Sequence, residues 1–420
     1  MKKLGLALAG VLGLLSLVAC SSPGDEAVEG STAAASVKVT GVSKADRKAY
    51  LARAKIWDAD DFAKLPEKDL LTGPGGKGSF QATRNADGSA TFPSITCRFV
   101  EPTRVNELGG KSPKFQCGAC ESGCNVDKTL KVKFGKDADS NGEVYAEVMA
   151  TRLLWALGYK VDDVYPVRVT CKDCPEDPWA AYEGFSTTPP PPGAKPAGGA
   201  RAERVYTAAL IERKNGAPKI EEQGWPEDKD GQGWAFDEVE KIRADQPNAN
   251  GASNVEWNAL KLLAAFIKHA DNKPANQRLV CDESAVTPDG KCTAPYLMIQ
   301  DMGATFGGGG QIFGSILSAS KAKLGKWNDS RVWFDRSTCH ASLFSAWYTD
   351  VYVTEASRAW LHDLLSKITD QQLRDVFVAS RIVERGETVR DHGADRAVTV
   401  DDWIAAFHAK MAELGKPCGR

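Results

Sequence analysis

The sequence predicts an α+β protein of two lobes, a small β-rich first lobe with one main helix and a mainly helical second lobe. Three observations predict it. Short apolar alternations recur up to about residue 211, and in the clearest of them Leu130, Val132 and Phe134 alternate with Lys131 and Lys133. A single amphipathic helix, Glu143–Leu157, interrupts these strands and is closed by Gly158. From Val255 onward the pattern turns helical, with segments at 255–269, 354–367, 370–384 and 400–414.

The elements follow in order. Lys2 and Lys3 precede an apolar run from Leu4 to Val18, too short to span a bilayer and suited to a secretory leader. The run ends in Leu17-Val18-Ala19-Cys20, which resembles the lipobox of bacterial lipoproteins. That resemblance implies cleavage before Cys20, acylation of Cys20, and attachment to the lipid bilayer of a bacterial cell envelope. Ser21 after the cysteine implies sorting to the outer membrane, on its periplasmic or surface face. Residues 20–42 then read as a flexible tether, 43–95 as an N-terminal extension, 96–215 as the first lobe and 216–420 as the second. Within the extension, Ser43 caps a helix expected to reach about Asp58, and Gly and Pro punctuate 72–78. Strands are expected at Ile95–Val100, Lys114–Cys117, Leu130–Phe134 and Val205–Ile211. A Pro-, Gly- and Ala-rich insertion occupies 183–202.

Composition excludes some classes. With 53 Lys+Arg against 55 Asp+Glu, the chain lacks the basic excess of a nucleic-acid binder. Removing the leader takes Lys2 and Lys3 with it, moving the net charge from −2 to −4. Of the 11 cysteines, ten remain besides the acylated one, an even number suited to disulfides in an oxidising compartment. Cys281 and Cys292 flank the turn Thr287-Pro288-Asp289-Gly290 and are expected to close a hairpin. Cys117, Cys120, Cys124, Cys171 and Cys174, with Cys97, form a second cluster whose pairing the sequence leaves open. The same spacing in a reducing cell would suggest zinc.

Four features carry chemistry, and their order matters. Lys131 and Lys133 share one face of a strand. The next helix carries Glu147. An apolar helix (Leu260 to Ile267) ends in His269-Ala270-Asp271-Asn272-Lys273-Pro274-Ala275-Asn276, and the strand Tyr296–Ile299 runs into Gln300-Asp301-Met302-Gly303. The last two resemble the catalytic loop H-R-D-L-K-P-E-N and the D-F-G motif of the protein-kinase-like superfamily. Gly109-Gly110-Lys111-Ser112-Pro113-Lys114-Phe115 resembles the glycine-containing phosphate loop of HipA-type kinases, in the HipA and phosphatidylinositol-kinase-like group.

The resemblance implies a two-lobed protein-kinase-like fold and phosphoryl transfer from ATP, with Mg or Mn, to a hydroxyl acceptor that the sequence does not name. Under it, Gly109, Gly110, Lys111 and Ser112 cradle phosphate, and Lys133, paired with Glu147, holds the nucleotide. The strand ending at Glu212 leads to the adenine. Asp271 orients or deprotonates the acceptor, Lys273 neutralises the transferred phosphoryl, and Asn276 and Asp301 offer hard oxygens to the metal. The alternative is an inactive, pseudokinase-like lipoprotein that binds a ligand or protein. Asp137-Ala138-Asp139-Ser140-Asn141-Gly142 also matches the first half of a calcium loop, with Val148 where the closing acid belongs. Neither an H-E-x-x-H pair nor a G-x-S-x-G elbow occurs, so zinc-dependent and serine hydrolysis lack support.

Overall fold

In a computed structural model the described residues are 38–420, apart from 77–79, 104–106, 119–128, 187–196, 214–215, 227–230, 248, 308–309, 313–314, 318–320, 344–350, 392 and 420. Cys20, Cys120, Cys124 and half of the 183–202 insertion therefore lie outside them. The described residues belong to one unit, Ala33–Arg420, of mixed α and β structure.

The chain opens with α1 (Lys44–Arg53), whose capping box is made by Ser43 and Asp46. The cap matches the sequence reading, but the helix ends at Arg53, because Ala54 is already extended. A short α2 (Ala59–Ala63) and the hairpin β1 (Thr83–Arg84) and β2 (Ala90–Thr91) complete this region.

A closed barrel follows, built from β3 (Ser94–Phe99), β4 (Lys114–Gly118), β5 (Thr129–Phe134), β6 (Asp163–Cys174) and β7 (Ala202–Arg213), in the order β3-β4-β5-β7-β6. All its pairings are antiparallel except β3 with β6. Its core is aromatic: Phe115, Phe134 and Tyr206 meet with Phe115–Phe134 centroids 5.3 Å apart and Phe134–Tyr206 centroids 4.6 Å apart. Such contacts add to the area each ring removes from water. Cys97–Cys117 and Cys171–Cys174 staple this barrel, so the second cysteine cluster pairs as disulfides at four of its members. Between β5 and β6 runs α3 (Glu143–Ala156), buried on almost every side. Gly158, with φ +84°, turns the chain out of it, as its C-terminal position requires. α4 (Pro178–Glu183), capped by Asp177, packs near β4.

Beyond the barrel come α5 (Phe236–Asp245), α6 (Asn254–Phe266) and the two-stranded pair β8 (Gln277–Cys281) and β9 (Pro295–Ile299). Cys281–Cys292 closes that pair, as the turn residues between them predict. Next are β10 (Gly310–Ile312), β11 (Ser315–Leu317), α7 (Leu324–Asp329), and a small sheet of β12 (Trp333–Asp335), β13 (His340–Ala341) and β14 (Val351–Tyr352). Helices α8 (Glu355–Ser366) and α9 (Asp370–Ser380) precede in the chain, and α10 (Val400–Leu414) follows, the hairpin β15 (Thr388–Asp391) and β16 (Ala394–Ala397). Hydroxyl caps at Ser253, Thr354, Thr369 and Thr399 start α6, α8, α9 and α10. Cys339–Cys418 ties the small sheet to the end of the chain. No helix among the described residues is long and apolar enough to cross a membrane.

Candidate functional site

The site begins with the alternation on β5. Val132 and Phe134 face the barrel core, so Lys131 and Lys133 point the other way. In the pairing registers Lys114 stands opposite Lys133, and Glu212 opposite Lys131. Helix α3 follows β5 after a turn in which the Asn141 side chain donates to the Phe134 carbonyl, 2.9 Å, and accepts from the Glu143 amide, 3.2 Å. Gly142 precedes the helix where a Cβ would lie 2.5 Å from the Lys321 carbonyl oxygen. One turn into α3, Glu147 meets Lys133.

Lys133 is the hub. Its Nζ donates to Glu147 Oε2 at 2.7 Å and to Asp301 Oδ1 at 2.8 Å, and lies 3.6 Å from Glu212 Oε2. The Lys133 and Glu147 side chains are each only 1% exposed, so their charges interact in a poorly solvated setting. Burial opposes the Lys133 cation, but Asp301, Glu147 and Glu212 outweigh it and hold the ammonium well above its ordinary range. Burial likewise pushes Glu147 up against the pull of Lys133, with Glu212 and Asp301 adding repulsion. Burial also opposes ionisation of Asp301, but Lys133, Lys131 and Lys114 together hold its carboxyl well below the usual carboxylate range.

The second arm is the turn after α6. Asp271 Oδ2 accepts from Lys273 Nζ at 2.8 Å and from Asn276 Nδ2 at 3.0 Å. The Asn276 amide also reaches the Asp271 carbonyl, 2.7 Å, closing the loop on itself. Two backbone bonds lay this loop beside the Asp301 segment: Gln300 N to Asn276 O, 2.9 Å, and Ala270 N to Ala304 O, 3.0 Å. Asp301 sits at φ +50°, a left-handed conformation uncommon for a residue with a Cβ and often kept where function needs it. Gly303 has a plain reason to be glycine, since a Cβ there would lie 2.9 Å from the side chain of Glu143. Burial brings the His269 imidazole down to about 4, so it is neutral near pH 7.

Lys133, Glu147 and Asp301 thus form one set of contacts and Asn276, Asp271 and Lys273 a second, with the Gln300–Asn276 backbone bond between them. The remaining residues of the sequence reading fall less simply. Gly109 and Gly110 are left-handed, at φ 55° and 64°, Ser112 is buried, and Lys111 is exposed. Glu212, read as part of a strand leading to an adenine, has its carboxylate held by Lys131 at 2.8 Å. Burial opposes its ionisation, yet Lys131 and Lys133 outweigh that and bring it down to about 2. In the acidic turn, Asp137 accepts the Asp139 and Ser140 amides, Asp139 pairs with Arg385, and Asn141 is used as described.

Among the described residues, no group of three or more His, Cys, Asp or Glu side chains gathers as metal ligands do. Asn276 Oδ1 and Asp301 Oδ2 are nevertheless uncommitted among the described residues, because Asn276 bonds through its nitrogen and Asp301 through its other oxygen. One carboxylate and one amide oxygen, completed by water and phosphate oxygens, suit a hard divalent cation such as Mg²⁺.

Sequence reasoning missed Lys114. It is 4% exposed, with its Nζ 2.9 Å from where a Cβ on Gly110 would stand. The alternation Lys114-Phe115-Gln116-Cys117 put it on the polar face, but only the β4–β5 register sets it against Lys133.

No protein-family model matches the chain, and no curated protein matches it. Among solved structures, the crystal structure of a Helicobacter pylori proinflammatory kinase CtkA aligns with 77% of this chain and 99% of that one. Identity is 10% and the TM-score 0.30, and at that level the likeness lends nothing to the functional reading.

Proposed function

We propose that the chain is a kinase-like phosphotransferase, lipid-anchored through Cys20 in the cell envelope, with lobes at 96–215 and 216–420. The observation that supports this most is the contact of Lys133 with both Glu147 and Asp301, residues from a strand, a helix and a distant loop. Phosphoryl transfer asks a protein mainly for positioning and for charge placed around phosphate.

In this reading Lys133, steadied by Glu147, faces the phosphates of ATP. Asn276 and Asp301 would hold Mg²⁺ or Mn²⁺, which neutralises phosphate charge when bound. The hydroxyl acceptor approaches Asp271. As its oxygen bonds to phosphorus and the bond to the leaving nucleoside diphosphate breaks, its proton passes to the Asp271 carboxylate. Lys273, 2.8 Å from Asp271, keeps that carboxylate oriented and supplies positive charge nearby.

The test is thermal stabilisation of the full chain by ATP with Mg²⁺ or Mn²⁺, comparing wild type with Asp301→Ala. At a nucleotide concentration 100 times Kd, binding stabilises by about 2.7 kcal/mol, enough to raise Tm visibly. A metal-dependent rise in wild type that Asp301→Ala abolishes is expected. No rise with either metal would end the reading, and a rise without transfer of labelled phosphate would leave a nucleotide-binding, pseudokinase-like module.

A further inference from the structure

The turn that presents Asp271, Lys273 and Asn276 runs from His269 to Gln277, and the side chains at its two ends each bury an unpaired atom. His269 is 3% exposed and Gln277 1%. Neither His269 Nε2 nor Gln277 Oε1 finds a hydrogen-bond partner among the described residues. Turning the Gln277 amide over would not relieve this. Its nitrogen already donates to the Asn272 carbonyl at 3.0 Å, which directs the oxygen, an acceptor only, away from that bond. An unpaired polar atom is costly to bury, and native structures rarely leave one so.

Both residues line the same small cavity. Its walls are otherwise apolar, with Leu154 from α3, Leu263 and Ile267 from α6, Ile299 from β9, and Met302. The space open to the centre of a water molecule is about 10 Å³. A wholly apolar cavity stays dry, but one with polar atoms in its wall and room for about one water holds it, given at least two polar partners. This cavity offers two. Burial keeps the His269 imidazole neutral near pH 7, so Nε2 either donates to a water or accepts from it, according to the tautomer. Gln277 Oε1 accepts from the water in both cases. A water, being donor and acceptor at once, satisfies the pair.

We propose that one buried water molecule bridges His269 Nε2 and Gln277 Oε1 and so ties together the two ends of the turn that carries Asp271, Lys273 and Asn276. This goes beyond the kinase-like reading and does not depend on it, because it concerns how the turn is held, whatever the turn acts on. His269 and Gln277 are positioning residues. Their neighbours in the chain, Ala270 and Asn276, make the two backbone bonds that join the turn to the Asp301 segment, Ala270 N to Ala304 O and Gln300 N to Asn276 O. A bridge between His269 and Gln277 therefore steadies both joints from beneath.

A crystal structure of the full chain that shows ordered water tests the site directly. One water peak within about 3.2 Å of both atoms is expected. A cavity without density, or a direct bond between the two side chains, would overturn the proposal. Amide hydrogen exchange, resolved by residue, reads the positioning role in solution. His269→Phe keeps a ring of similar size and removes Nε2. It is expected to speed exchange at Ala270 and Gln300 by about tenfold while leaving α10 unchanged. His269→Gln, whose amide reaches about as far as Nε2, should keep both amides within about twofold of wild type. Equal acceleration in the two variants, or none in His269→Phe, would count against the bridge as the element that holds the turn. The crystallographic test needs no substitution, so it decides even if His269→Phe does not fold.

Discussion

Replacing Lys133 by Met puts the central contact under the hardest strain. At an effective dielectric of about 20, a unit charge pair 2.7–2.8 Å apart attracts by about 6 kcal/mol, and one at 3.6 Å by about 4.6 kcal/mol. Most of that attraction offsets the burial of the ions and the mutual repulsion of three acids, so the sum is not the stability of the cluster. The net loss is set by what the variant leaves behind. Met matches the lysine stem in length, but Glu147, 1% exposed, keeps its burial and loses the cation paired with it. Removing one member of a buried pair in this way costs about 3–5 kcal/mol. The cost should also depend on pH. Glu147 without Lys133 has a folded-state pKa raised further above its unfolded value, so stability is retained in acid and falls as pH rises through the folded pKa. Urea unfolding at pH 5 and pH 8 reads both effects. Lys133→Met should lose about 3–5 kcal/mol at pH 8 and clearly less at pH 5. Adding Glu147→Gln, which removes the stranded charge, should recover part of the pH 8 loss. A single variant within about 0.5 kcal/mol of wild type at pH 8, or a double variant whose losses simply add, would refute the buried-pair reasoning.

Three other outcomes follow from different parts of the molecule. Gly233→Ala places a Cβ 1.6 Å from the Pro274 carbonyl oxygen and 2.7 Å from that of Gln277, so it should cost about 3 kcal/mol or more, while Gly216→Ala, with nothing within 4 Å, should cost almost nothing in the same urea titration. Opening Cys339–Cys418, which spans 79 residues, releases chain entropy equivalent to about 4.5 kcal/mol at most, so Cys339→Ser with Cys418→Ser should lower the denaturation midpoint strongly without reducing agent and make wild type and variant alike with it. Burial brings Lys268 down to about 7 and Lys114 and Lys410 to about 8, below the 10.5 of a free lysine. Their favourable term is therefore complete above about pH 10.5 and is lost as pH falls through 8 and 7; Lys268→Met should flatten the rise of Tm between pH 7 and 10, and an unchanged slope would count against the burial.

Local chemistry was the legible part of this fold. The helical pattern placed starts at 255, 354, 370 and 400, and the structure begins these helices at Asn254, Glu355, Asp370 and Val400, each behind a hydroxyl cap that acts over three residues of chain. The two-residue alternation of β5 already separated Lys131 and Lys133 from the barrel core. What could not be read was pairing across distance. β6 was not anticipated, although it is among the longest strands, because its partners lie far away at β3 and β7 and its polar ends blur the alternation. The partner of Glu212 and the depth of Lys114 depend on the same non-local registers.

The charge cluster makes the consequence concrete. Lys114, Lys131 and Lys133 face Glu147, Glu212 and Asp301, three against three, so a count of charges predicts a satisfied, closed network with no call for a ligand. Pairing distances say otherwise. Every one of the three acids lies within 3.6 Å of Lys131 or Lys133, and none lies within 4.0 Å of Lys114. Electrostatic attraction falls with distance and is weakened by any intervening solvent, so a balanced sum with unequal distances still leaves one cation under-compensated. That cation sits close to the left-handed Gly110, 2.9 Å from where a Cβ on it would stand. A neutral sum and an uneven pairing are therefore compatible here, and the β4–β5 register, which sets Lys114 beside Lys133 instead of beside an acid, is what makes them so.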